Sequence, residues 1–198
     1  LSETFTRHEQ EDFIPIFGYH DVLPDREDIT HAAFEIHESD FEAQVAYATD
    51  VLGCRWHTFA DIMEQYVLAE QKTPRNACVM TFDDGLSSHH HILPILERYG
   101  VLASFYVIPG RIGESDRYLT WGQLEDLHEA GHEIGSHTVD SGGLVSAGWN
   151  RPQLEYQLRE SKRSIEAAGY GPVKTFAYPL GEWNEEIVEV VKEAGYIA

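Results

Sequence analysis

Residues 77–85 read ACVMTFDDG. From Ala77 to Phe82 the run is almost wholly apolar and shows no in–out alternation, as expected of a strand buried on both faces in a parallel sheet. It stops at two adjacent carboxylates, Asp83 and Asp84, followed by Gly85. Working outward, residues 13–19 (FIPIFGY) form a strand that delivers His20 and Asp21 at its end. Ser39-Asp40-Phe41-Glu42 has the form of a capping box, opening a helix with Phe41, Val45 and Leu52 on one face and Gly53 past its end. An amphipathic helix follows over 59–70. Beyond the quoted stretch come a helix at 88–99 ending at Gly100, a strand at 102–108, a helix from Thr120 to Ala130 and a short strand before His137. A helix at 152–168, a strand at 174–178 and a helix at 184–194 complete the alternation, and Gly195–Ala198 begins another strand. Strands alternating with helices of this length specify parallel βα units, an α/β chain closed or nearly closed into a barrel.

The chain has 198 residues, enough for one large core, and no repeats or linkers divide it. Residues 1–12 form a polar arm, and one domain spans 13–198 with its last strand incomplete. The sequence starts at Leu1, consistent with removal of a leader or an upstream segment. No apolar stretch approaches the length of a membrane span, so no integral membrane segment is expected. The charge is −20, from 34 acidic and 14 basic residues. A surface this acidic excludes nucleic acid as a partner and fits either plain solubility or a high-salt habitat in which repulsion is screened. Cys54 and Cys78 lie in apolar surroundings and are expected as buried free thiols.

In parallel α/β folds chemistry gathers at the carboxyl ends of the strands. Those ends carry His20-Asp21, Asp83-Asp84, His137 with Asp140, and the Tyr178-Pro179-Leu180-Gly181 turn. Adjacent carboxylates at a strand end are costly unless one is neutralised; a divalent metal can do this, one Asp ligating while the other serves as a base. The plainer reading is a polar Asp-Asp-Gly turn. His89, His90 and His91 read as a polar helix start with one partly buried ring. His128 and His132 flank a turn and read as surface residues.

Three segments together, TFDDG at 81–85, YLTWGQLEDLHEAGHEIGSHT at 118–138 and FAYPLGEWNEEIVEVVKEAGY at 176–196, resemble the NodB-type polysaccharide deacetylases, carbohydrate esterase family four. FGYHDVLPDRED at 17–28 is similar to the branch that removes acetyl groups from poly-β-1,6-N-acetylglucosamine, in which the histidine comes from a segment before TFDDG. The resemblance implies a deformed (β/α) barrel and metal-dependent hydrolysis of N-acetyl groups on an N-acetylglucosamine-containing polysaccharide or amino-sugar oligomer. It also implies an extracellular or cell-surface setting. By the same resemblance Asp83 is the general base. Asp84 and His137 are ligands of a divalent metal, zinc foremost, with cobalt, manganese, iron or nickel compatible. His20 protonates the leaving amine, held by a carboxylate such as Asp21, and the backbone N–H of Leu180 supports the oxyanion.

The chain departs from the family pattern at Ser141 and Gly142, where a second loop histidine is expected, and at Ala177, where an arginine is familiar. Asp140 is the candidate replacement ligand; the alternative is that it caps a turn. Tyr178 and Leu180 belong to the turn expected to meet substrate. Trp183 is placed either as a platform for a sugar ring or as core packing, and Trp121 as packing. Two other functions stay open: a glycan-binding member that has lost its metal, and a hydrolase of another carbon–nitrogen amide bond.

Overall fold

The structure, a computed structural model, describes residues 13–198. The expected arm at 1–12 lies outside the described residues. The main sheet is entirely parallel. β5 (Ala77–Phe82) is its hub, pairing with β1 (Ile16–Tyr19) along 79–82, with β4 (Arg55–His57) along 77–79 and with β6 (Ser104–Val107) at 81–82. β6 then pairs with β7 (Glu133–Ser136). Of the six residues of β5 only Thr81 is not buried, which is why its sequence lacks alternation.

The sheet continues by single bonds where a strand was expected at 174–178. Ser136 N–H donates to Thr175 O, Ala177 N–H to Ser136 O, and Phe176 N–H to Ala198 O. This succession of parallel strands and covering helices is the deformed (β/α) barrel arrangement.

β2 (Asp21–Leu23) and β3 (Glu35–His37) form a separate parallel pair beside the main sheet. Next comes α1 (Glu38–Ala46). The expected capping box is corrected here: Ser39 lies inside the helix, and its N–H donates to Asp25 Oδ1 rather than to a local cap. A π-helical turn at Tyr47–Val51 widens the spiral, so Phe41 and Val45 are buried while Leu52 is rotated out and half exposed. The helix expected at 59–70 is α2 (Phe59–Asp61), capped by Thr58, continuing as π-helical turns over Ile62–Leu68.

α3 (Ser88–His91) and α4 (Leu93–Arg98) share the expected 88–99 helix. α5 (Trp121–Glu129) and α6 (Arg151–Ala167) open with reciprocal capping boxes, Thr120 with Gln123 and Asn150 with Gln153. Asn184 caps α7 (Glu185–Glu193). One core runs from Phe41 and Phe82 through Phe105 to Leu127 and Leu158, all fully buried. Trp121 stacks on Tyr170, their ring centroids 6.1 Å apart, as packing. The expectation of free thiols is overturned: Cys54, just before β4, forms a disulfide with Cys78 on β5, the Cα atoms 5.6 Å apart. Strand pairing brings them together, with Trp56 opposite Cys78, a proximity that a separation of 24 residues does not reveal. No helix among the described residues is long and apolar enough to cross a membrane.

Candidate active site

Because the strands are parallel, their carboxyl ends share one rim. There β1 presents His20, β5 presents Asp83 and Asp84, and β7 presents His137. These side chains, with Ser141, Tyr178, Leu180 and Gly181, line a cavity of about 630 Å³. The Asp-Asp-Gly turn is tightly shaped. Asp84 sits at φ 75° and Gly85 at φ 67°, where a Cβ would press to 3.2 Å on the Val107 side chain. That close approach fixes glycine after the acid pair.

The acids face different histidines. Asp84 Oδ1 lies 3.5 Å from His137 Nε2, and Asp83 Oδ2 lies 3.9 Å from His20 Nε2. His137 is buried, and its Nδ1 lies 3.0 Å from the carbonyl of Ala177. A carbonyl only accepts, so Nδ1 carries the proton and the Nε2 lone pair is aimed at Asp84. Ala177 thus serves the site through its main chain. Burial pushes the Asp83 carboxyl above its ordinary range. His137 and His20 draw it back down, and Asp84 beside it adds to the rise. A carboxylate made more basic in this way is suited to taking a proton.

The sequence pattern of the polysaccharide deacetylase family matches residues 70–198, which hold the Asp-Asp-Gly turn, His137 and the Tyr-Pro-Leu-Gly turn. The chain belongs to the polysaccharide deacetylase family. The Bacillus subtilis protein YxkH is 26% identical over 92% of this chain and 62% of its own length. A poly-β-1,6-N-acetyl-D-glucosamine N-deacetylase of Staphylococcus aureus is 23% identical over 82% of this chain and 59% of its own. The chain therefore spans about three fifths of those relatives. A Streptococcus pyogenes deacetylase, solved with acetate, superposes with a TM-score of 0.83 at 21% identity, covering 93% of this chain and 81% of that one. This likeness establishes the deformed barrel as the fold.

Within this polysaccharide deacetylase domain, Asp140 and Trp183 stand apart from the cavity lining, while Asp21 and Leu180 belong to it. Asp140 is not brought to the Asp84–His137 pair. Its Oδ1 accepts from Gly142 N–H at 3.1 Å, closing the loop on itself, and its Oδ2 accepts from Gln157 Nε2 at 2.9 Å, tying the loop to α6. Among the described residues no three His, Cys, Asp or Glu side chains form a complete ligand set. Asp21 lines the cavity, but the carboxylate facing His20 is Asp83. Leu180, at φ 58°, turns its side chain to solvent. Trp183 is 64% exposed and is not part of the cavity wall, so the packing alternative fails.

Two other histidines, His89 and His132, differ from expectation. His89 is fully buried, while His90 and His91 pair with Asp126 and Glu38 away from the rim. His132, expected at the surface, is 4% exposed, and its Nδ1 accepts from the Ala103 N–H. Burial depresses the ring of His132 to a pKa of about 4. The cavity also holds residues that no motif announced. Phe34, edge-on to the His20 ring at 4.9 Å, and His31 come from the segment between β2 and β3, Glu35 opens β3, and Arg117 comes from the loop before α5. The aromatic and charged residues beside FGYHDV were the one available signal, and they have no characteristic spacing.

Proposed function

We propose that the chain hydrolyses N-acetyl groups from an N-acetylglucosamine-containing polysaccharide, with a divalent cation, zinc foremost, held by Asp84 and His137. The observation that carries this reading is the division of labour between the two acids of one turn: Asp84 faces the imidazole lone pair of His137, and Asp83 faces His20. Donors sharing one zinc ion at about 2.0–2.2 Å stand roughly 3.3 Å apart. The 3.5 Å between Asp84 Oδ1 and His137 Nε2 suits that spacing, and the proton on His137 Nδ1 leaves the correct nitrogen free. Ser141 lines the same cavity, and water would complete the coordination. When bound, the cation supplies Lewis acidity to the acetyl carbonyl and makes water a better nucleophile at neutral pH.

The residues then act in turn. Asp83 takes a proton from the water that attacks the amide carbon. The N–H of Leu180, displayed by its left-handed backbone at the cavity wall, donates to the carbonyl oxygen as negative charge collects there. His20 gives its proton to the amide nitrogen as the C–N bond breaks, releasing acetate and the sugar amine. Tyr178, Phe34 and Arg117 give the wall apolar and hydrogen-bonding surface for a sugar. Trp183 extends that surface outside the cavity. The disulfide between Cys54 and Cys78 favours an extracellular or cell-surface setting.

The test is acetate release from N-acetylglucosamine oligomers, with the metal content of the same samples. Asp84→Ala is expected to lose both metal and activity. Asp83→Asn should keep the metal and lose activity by about 10²–10⁴-fold. Equal metal in wild type and Asp84→Ala overturns the ligand assignment. A second reading, a glycan-binding domain without catalysis, is favoured by the incomplete ligand set. It takes over if wild type binds oligomers but neither retains zinc nor releases acetate.

A further inference from the structure

Behind the cavity, α3 is bonded to the segment that carries His20. His89 is fully buried between Phe82 and Phe105, ring centroids 5.2 and 5.6 Å away. Its Nε2 lies 2.8 Å from the carbonyl oxygen of His20 and therefore donates to it. Its Nδ1 is buried with no hydrogen-bond partner among the described residues. One residue earlier on the same helix, Ser88 Oγ accepts from the N–H of Val22 at 3.4 Å. Two consecutive residues of α3 thus grip the chain on either side of Asp21. Leaving one ring nitrogen unpaired costs about 1–3 kcal/mol. An apolar residue would fill the slot without that cost but could not hold the carbonyl. The bond falls at the residue whose ring faces Asp83 on one side and Phe34 on the other.

We propose that His89 is a positioning residue for the reaction: through the carbonyl of His20, it sets the direction in which the His20 ring enters the cavity. The proposal rests on the reading of His20 as the proton donor. His89 touches neither substrate nor metal, so its loss acts on the proton-transfer step and leaves binding intact. A displacement of about 1 Å at such a group costs on the order of 10²-fold in rate.

The experiment compares His89→Leu with His89→Gln, whose amide restores a donor at similar reach. Three quantities are read: kcat and KM for acetate release from N-acetylglucosamine oligomers, zinc content, and the NMR cross-peak between the rings of His20 and Phe34. In His89→Leu, kcat is expected to fall roughly 10- to 100-fold with KM within about twofold. Zinc should be unchanged while the cross-peak disappears, and His89→Gln should recover both rate and cross-peak. A folded His89→Leu protein with wild-type kcat and an intact cross-peak overturns the proposal, as does failure of His89→Gln to recover either. Should His89→Leu not fold, His89→Asn, too short to reach the carbonyl, takes its place with the same two outcomes. Lack of acetate release by wild type overturns the deacetylase reading alone; the cross-peak then decides whether His89 sets the pose of His20.

Discussion

At Ser141 the backbone is already left-handed, φ 62°, and the side chain lines the cavity with Asp84 and His137. Gly142 is differently placed: a Cβ there would come within 2.6 Å of the Trp149 ring. The two positions where the family pattern calls for a histidine are therefore not equivalent. Ser141→His should add an imidazole to the cation site, tighten zinc and raise acetate release. Gly142→His should do neither, and overpacking against Trp149 should cost about 1–3 kcal/mol of stability. Zinc titration and denaturant unfolding of the two variants check this; equal zinc affinity in Ser141→His and wild type would remove Ser141 from the site. Sequence alone leaves Asp140 open as a third ligand, because a loop carboxylate three residues from His137 fits both a metal and a turn. Gln157, seventeen positions further on, decides the matter by claiming one oxygen, and no local pattern could announce that.

Helix starts are legible where the cap is local. Thr120 with Gln123 and Asn150 with Gln153 close their own boxes, as short-range chemistry dictates. Ser39 departs from its expected role because a carboxylate fourteen residues earlier, Asp25, takes the N–H at the start of α1. His132 departs for a related reason. Its segment has the composition of a polar turn, yet the ring folds back under β6 to meet the Ala103 N–H. Burial makes His132 and His89 expensive to protonate, each with a pKa lowered from 6.5 to about 4. Between those values the unfolded chain binds more protons than the folded one, so stability is lost as pH falls from about 6.5 toward 4, by roughly 3 kcal/mol per ring. Urea unfolding at pH 7 and pH 4.5 measures the loss. His132→Gln, which can still accept from Ala103 but does not titrate, should lose distinctly less; an equal loss would mean that His132 is not the titrating group.

For the molecule as a whole, the charge of −20 acts against compactness. Some acids are compensated, as in Arg98 with Glu42, Arg151 with Glu155 and Lys174 with Glu64, but the excess is too large for the 14 basic residues to neutralise. The screening length shrinks from about 8 Å at physiological ionic strength to about 3 Å at 1 M. The melting temperature should therefore rise between low and molar sodium chloride. A flat curve would show that the acidic surface serves solubility alone. The barrel order is legible in the alternation of strand and helix, since β5, β6 and β7 each read as apolar segments followed by helices. The expected strand at 174–178 is not fully realised, because only part of it finds backbone partners in Ser136 and Ala198.

The bond between Cys54 and Cys78 ties the strand that ends in the acid pair to its neighbour 24 residues earlier. Closing a loop of that size restricts the unfolded chain by about 3 kcal/mol. The way the protein is produced thus becomes part of its chemistry. Material made in a reducing cytosol would carry the right residues on a looser β4–β5 pair. Secreted or oxidatively refolded material would hold the turn of Asp83 and Asp84 on a cross-linked base. Preparations of the same sequence from the two routes should differ in melting temperature, and a thiol count before each assay tells which one is in the tube.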